Sequence, residues 1–178
     1  MQHKISTIRF RFLNAKLTQK VLFERLNLAT EQDFTEFGSP SKAKSMEKIE
    51  HIGIAVKSLA ESISLFEKLL NTHCYKTEQV EGEKVNTAFF KTGPNKIELL
   101  ESTDPEGVIA RFIEKKGEGI HHISFAVDDI EKEMDRLKKE GFVLLNEEPK
   151  PGADNMLVCF LHPKHTNGVL IELCMEKK

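Results

Sequence analysis

A short phrase occurs twice in this chain, first as His51-Ile52-Gly53-Ile54-Ala55-Val56 and again as His122-Ile123-Ser124-Phe125-Ala126-Val127, with a histidine leading each copy. The two histidines stand 71 positions apart. A second echo, Ile97-Glu98-Leu99 against Ile171-Glu172-Leu173, sets a glutamate inside an apolar run near the end of each copy, 74 positions apart. Recurrence at nearly one offset predicts two like half-domains. It also places two histidines and two glutamates at equivalent points of both halves, where one shared metal site could collect them.

Each copy opens on a strand whose side chains alternate between two faces. Ile52, Ile54 and Val56 point one way and His51, Gly53 and Ala55 the other; Ile123, Phe125 and Val127 oppose His122, Ser124 and Ala126 in the same manner. Each histidine therefore shares its face with small residues that leave room for a ligand. A helical stripe follows each strand, through Leu59, Ile63, Phe66 and Leu70 in the first copy and Ile130, Met134 and Leu137 in the second. Ser58 and Asp129 suit N-caps, and Asn71 and Gly141 stand where helices end. Strands are expected near 73–80, 85–91 and 96–101, then 142–146, 156–161 and 168–174, with Gly and Pro turns between them. A connector helix over about 104–116, opened by Pro105, joins the halves. The fold class is α+β, with the order βαβββ occurring twice.

Buried in apolar runs, an ionised Glu98 or Glu172 needs a cation or solvent. A lone strand histidine is usually an ordinary core or surface residue, and a lone strand glutamate faces water. Recurrence of all four at matching positions favours a metal site made of His51, Glu98, His122 and Glu172. Two imidazoles and two carboxylates suit a borderline or hard divalent ion, with cobalt, manganese, nickel, zinc and magnesium left open. By strand alternation His121 should point away from that site, as a structural or outer residue. His73, His162 and His165 have no counterpart in the other copy, and His3 lies in the N-terminal extension.

The 26 basic and 28 acidic residues nearly cancel, so no basic field favours nucleic acid. Cys74, Cys159 and Cys174 are odd in number and widely spaced, which predicts reduced thiols rather than a disulfide framework. No apolar run is long enough to span a bilayer. Residues 1–45 are read as an N-terminal extension. Their first part carries Lys4, Arg9, Arg11, Lys16 and Lys20 with no acid before Glu24, which fits either a transit peptide or an upstream extension ahead of Met46. A cytoplasmic protein is expected, or a mitochondrial-matrix one if that segment is a transit peptide.

Four phrases carry a family resemblance: Ile49-Glu50-His51-Ile52-Gly53-Ile54-Ala55-Val56, Lys96-Ile97-Glu98-Leu99-Leu100, Gly117-Glu118-Gly119-Ile120-His121-His122-Ile123, and His162-Pro163-Lys164 followed by Gly168-Val169-Leu170-Ile171-Glu172-Leu173. From Met46 onward the chain resembles the vicinal oxygen chelate (glyoxalase/bleomycin resistance/dioxygenase) superfamily, and within it the methylmalonyl-CoA epimerases. The resemblance implies a domain over 46–178, with a first module at about 49–101 and a second at about 120–175 forming a cupped mixed sheet around a divalent metal. The family's metal positions fall on His51, Glu98, His122 and Glu172. The implied reaction interconverts (R)- and (S)-methylmalonyl-CoA in propionate metabolism through a metal-stabilised enolate, with Glu172 and Glu98 as acid/base candidates. A homodimer and no membrane partner are implied as well.

The chain departs from some family members in two places, the first being Glu98, where they carry glutamine. Some members carry a further glutamate on the strand corresponding to Val85-Asn86-Thr87-Ala88-Phe89-Phe90, which holds no acid here; Glu81 and Glu83 just before it read as a solvated turn. Competing readings are a lactoylglutathione lyase, which uses the same constellation on a hemithioacetal, and a ligand-sequestering or resistance protein of the same fold.

Overall fold

The two copies of the repeated phrase form β1 (Lys48–Ala55) and β5 (Gly119–Ala126), which pair antiparallel at the centre of one 8-stranded sheet. The computed structural model describes Met46 and residues 48–177, so the readings made for the N-terminal extension lie outside the described residues. On one side of the central pair, β4 (Asn95–Ser102) runs parallel to β1, followed by β3 (Val85–Thr92) and β2 (Lys76–Val80). On the other, β8 (Leu170–Glu176) runs parallel to β5, followed by β7 (Met156–Leu161) and the short β6 (Lys150–Pro151). The two halves of the sheet thus repeat one topology within a single mixed sheet.

The helices form where the apolar stripes place them. α1 (Leu59–Leu70) starts at Ser58, whose hydroxyl accepts the Glu61 amide at 3.3 Å, and stops at Asn71, which takes a left-handed φ of 50°. Its inner side buries Leu59 with Ile63, Phe66 and Leu70 against Ala88, Phe90 and Leu99. In the second half α3 (Ile130–Lys139), capped by Asp129 on the Lys132 amide at 3.1 Å, sets Ile130, Met134 and Leu137 against Cys159, Leu161 and Leu173. These clusters hold the outer face of the sheet. The connector helix α2 (Val108–Lys116) belongs to a third cluster, with Ile109 packed on Ala55, Val85 and Leu100. Ala55 and Leu100 alternate with Ile54 and Leu99 of the outer cluster, so α2 covers the inner face, beside the histidines.

Two expected boundaries move. The connector does not begin at 104: Asp104 accepts the Gly107 amide on its carbonyl at 2.8 Å and the Glu106 amide on its side chain at 2.8 Å. That turn holds Pro105, and helical bonding starts only after Gly107. The strand expected over 142–146 contracts to one bridge, Leu144 with Leu161. It lies at the sheet edge, where the Asn146 side chain accepts the Phe160 amide at 3.3 Å in place of a backbone partner. The edge strand is instead Lys150–Pro151, where proline's missing N–H costs no ladder bond. The three cysteines are free, with Cys159 and Cys174 buried.

Pairing between β1 and β5 carries two bulges. Ile49 faces Phe125 and His51 faces Ser124, leaving Glu50 extra; Gly53 faces His122 and Ile54 faces Ile120, leaving His121 extra. The extra residues are 71 positions apart, like the histidines they precede. Each copy therefore has one added residue, placed immediately before its histidine.

Candidate metal centre

The β1–β5 seam sets His51 and His122 side by side from opposite strands, and the parallel neighbours supply the acids. Gly53 is level with Glu98 on β4, and Ser124 is level with Glu172 on β8, so the two acids occupy equivalent register positions. All four predicted ligands are almost fully buried: His51 at 7%, Glu98 at 5%, His122 at 4% and Glu172 at 5% exposure. His51, Glu98 and His122 offer ligand atoms within 4.8 Å of one another. Glu172 stands beside this group, with Oε1 3.4 Å from His51 Nε2 and Oε2 4.0 Å from His122 Nε2.

The donor set fits a divalent ion. The two Nε2 atoms face each other at 3.0 Å, and Glu98 Oε2 lies 3.3 Å from His51 Nε2 and 3.5 Å from His122 Nε2. Nitrogen and oxygen ligands at about 2.0–2.2 Å from a common ion stand about 3.0–3.5 Å from each other. Two imidazole lone pairs cannot face each other at that distance without a proton or cation between them. Two buried carboxylates beside them call for the same positive charge.

Protonation follows the same logic. Burial is the largest influence on His51 and acts downward, but the hydrogen bond to Glu50 and the charges of Glu98 and Glu172 outweigh it and raise the imidazole to about 10. His122 is held well below the usual range by burial and by the neighbouring His51 and His121. Burial pushes Glu172 up to about 7, against the pull of His51 and of the Ser124 hydroxyl, which donates to its Oε1 at 2.6 Å. Without a cation, then, the histidine pair carries one proton more than two neutral rings, on His51, and Glu172 titrates near neutrality.

The bulges bring in two residues, Glu50 and His121, the second of which strand alternation had turned away. Glu50 Oε2 accepts His51 Nδ1–H at 2.6 Å, and its other oxygen accepts Lys96 Nζ at 2.5 Å. Burial acts upward on Glu50, but those two contacts hold its carboxyl below the usual range. Lys96 reaches on to Asp154 of the second module at 2.7 Å, and Asp154 also accepts the Tyr75 hydroxyl at 3.0 Å. His121 does not turn away: its Nδ1 lies 3.0 Å from Nδ1 of His122, because the bulge breaks the alternation on which the opposite reading depended. The signal for Glu50 was its place ahead of the first repeated histidine, matching that of His121.

A cleft opens over the group. Glu98, His122 and Glu172 line it together with the apolar Val85, Leu100, Ile109 and Phe160. Thr87 of β3 lines it too, and Glu83 stands at its side, ion-paired with Lys150 rather than free in solvent. Glu81 lies in the exposed 3₁₀ turn before β3. His162 is a capping residue: its Nδ1 accepts the Lys164 amide at 3.1 Å and starts the turn Pro163–His165. His73 is exposed beside Glu67, and no helix among the described residues is long and apolar enough to cross a membrane.

Residues 50–160 match the model of the Glyoxalase/Bleomycin resistance protein/Dioxygenase superfamily. An uncharacterized Bacillus subtilis protein is 39% identical over 132 residues, 74% of this chain and 94% of that one. The ethylmalonyl-CoA/methylmalonyl-CoA epimerase of Cereibacter sphaeroides is 42% identical over 129 residues, 71% of this chain and 96% of that one. A solved structure of a Streptomyces coelicolor methylmalonyl-CoA epimerase variant, in complex with 2-nitronate-propionyl-CoA, is similar at a TM-score of 0.71 and 30% identity, covering 75% of this chain and 100% of that one. The chain belongs to the methylmalonyl-CoA epimerase family of the glyoxalase/bleomycin resistance protein/dioxygenase superfamily.

Proposed function

We propose that this enzyme interconverts (R)- and (S)-methylmalonyl-CoA by removing the proton between the carboxylate and the thioester on one face and returning one on the other. The observation that carries the reading is the approach of Glu98 and Glu172 from opposite modules to one point, each carboxylate within 3.4 Å of His51 Nε2. Two carboxylates on either side of a planar enolate are what inversion requires. Burial raises the Glu172 carboxyl to about 7 in the absence of a cation; held as a ligand it is ionised, the form in which it takes the proton as a base. Glu98 serves as its counterpart on the opposite face.

His51, Glu98, His122 and Glu172 would hold a divalent cation, cobalt before manganese, nickel, zinc or magnesium. That ion would supply Lewis-acid stabilisation of the negative charge developing on the thioester oxygen. Val85, Leu100, Ile109 and Phe160 of the cleft exclude water from the acyl group and so strengthen every charge interaction there. The complex of the Streptomyces coelicolor relative with 2-nitronate-propionyl-CoA supports a coenzyme A thioester as substrate. On the same reading the enzyme works as a homodimer, supported by Leu65 and Leu69, four apart on α1 and 61% and 69% exposed. Its place is the cytoplasm, or the mitochondrial matrix should residues 1–45 act as a transit peptide.

Incubation of the metal-loaded protein with one stereoisomer of methylmalonyl-CoA in deuterated water tests the proposal. Inversion accompanied by deuterium at the α-carbon is expected. Absence of both, with conversion of the hemithioacetal of methylglyoxal and glutathione, would replace it with the lyase reading.

A further inference from the structure

His121 is not needed to bind a metal, yet it lies half-buried between a ligand histidine and the cleft. Three observations fix its chemistry. Its Nδ1 is 3.0 Å from Nδ1 of His122. Its ring meets Phe112 of α2 edge to face, with centroids 5.0 Å apart, which sets the ring's orientation. It lines the same cleft as Glu98 and Glu172, and the side-chain hydrogen bond it makes among the described residues is at Nδ1, not Nε2.

The proton positions follow from the ligand's needs, and this step rests on the metal reading above. His122 turns Nε2 toward Glu98, Glu172 and His51, so a cation bound there takes the Nε2 lone pair. A neutral imidazole carries one N–H, which must then be on Nδ1 of His122. That N–H faces Nδ1 of His121. Two N–H groups cannot form a bond across 3.0 Å, so His121 accepts at Nδ1 and carries its own proton on Nε2. In the other copy the residue in the same bulge is Glu50, an anion that accepts from His51 and ends in the buried pair with Lys96. The histidine in place of a glutamate turns a closed contact into a relay that ends on a ring lining the cleft.

We infer that His121 is a substrate-contacting residue: held in one tautomer by His122, it donates its Nε2–H to an oxygen of the malonyl-type acyl group of a coenzyme A thioester. The bulge is what places it there. Without that extra residue, strand alternation would put position 121 on the outer face.

The test uses the full chain loaded with zinc, which is diamagnetic, and long-range ¹H–¹⁵N correlation spectra of the histidine rings. Expected are protons on Nδ1 of His122 and Nε2 of His121, and a shift of the His121 Nε2–H resonance on adding 2-nitronate-propionyl-CoA. His121→Asn, whose side-chain oxygen can still accept from His122, should keep zinc affinity within about twofold and bind that ligand about tenfold more weakly. Zinc that leaves the His51 and His122 resonances unmoved would overturn the metal reading and this inference together. Zinc that moves them while His121 carries its proton on Nδ1, or unchanged ligand affinity in His121→Asn, would overturn this inference alone.

Discussion

Gly53 faces His122 across the β1–β5 seam, and the space that a side chain at Gly53 would fill is taken by the imidazole. An added Cβ would stand 2.2 Å from Cε1 of His122 and 2.7 Å from Nε2, far inside contact distance. The ring is packed against Phe160 and His121 and has little room to retreat. Gly53→Ala should therefore cost about 1–3 kcal/mol of stability by overpacking. Because the clash falls on the ligating nitrogen's ring, metal affinity should fall about 10- to 100-fold. Metal content after dialysis, with circular dichroism to show the fold retained, checks both. Unchanged metal retention would remove His122 from the ligand set.

Glu50 should matter almost as much as a ligand, although it binds no ion itself. It accepts His51 Nδ1–H at 2.6 Å, which fixes Nε2 as the nitrogen free to bind. Glu50→Gln keeps the shape and removes the charge that anchors both His51 and Lys96. Metal affinity is expected to drop about 10- to 100-fold, measured by competition with a chelator of known strength. A change below about twofold would assign Glu50 to packing alone.

The ligands are legible in the sequence because duplication repeats them, and period-2 alternation assigns them one face. The outer helices are legible from their stripes and caps, Ser58 and Asp129 among them. What alternation cannot show is a bulge, since an added residue is invisible until the partner strand is known; hence Glu50 and His121 emerge only from the β1–β5 register. Contacts between the modules leave no local trace either. Lys96 and Asp154 are 58 positions apart, and nothing near either residue announces the other.

Asp154 is where that cross-link can be cut. It accepts from Lys96, Lys76 and Tyr75, and its own amide donates to Glu78 at 2.9 Å, so one turn of the second module ties down β2 and β4 of the first. Asp154→Ala leaves Lys96 with Glu50 alone. A loss of about 1–3 kcal/mol is expected, seen as a Tm lowered by several degrees in metal-free protein. An unaltered Tm would mean that solvent replaces these bonds without cost.

Metal uptake should release protons. Before binding, His51 is protonated at pH 7 because its imidazole is raised to about 10, and Glu172, raised to about 7, is protonated in part. Ligation requires both to be unprotonated. Raised values mean the protons are bound below these pH values and lost above them, so affinity should climb from pH 6 to 9. At pH 7 about one to two protons should leave per ion. Calorimetry in buffers of different ionisation enthalpy measures that number, and uptake without proton release would contradict the assignment of charge at the centre.

If Glu98 and Glu172 serve opposite faces of the enolate, removing one should uncouple proton exchange from inversion. In Glu98→Gln, Glu172 can still take the proton from the stereoisomer that presents it on that face and return a solvent deuteron to the same side. That isomer should gain deuterium without inverting, while its epimer stays unlabelled. Glu172→Gln should show the reverse preference. Loss of one acid/base group lowers inversion about 10²- to 10⁴-fold, and both variants must be compared at equal metal occupancy because each residue is also a candidate ligand. Labelling of both isomers in either variant would place the second proton donor elsewhere in the cleft, with Glu83 the first residue to replace, since it lines the same walls.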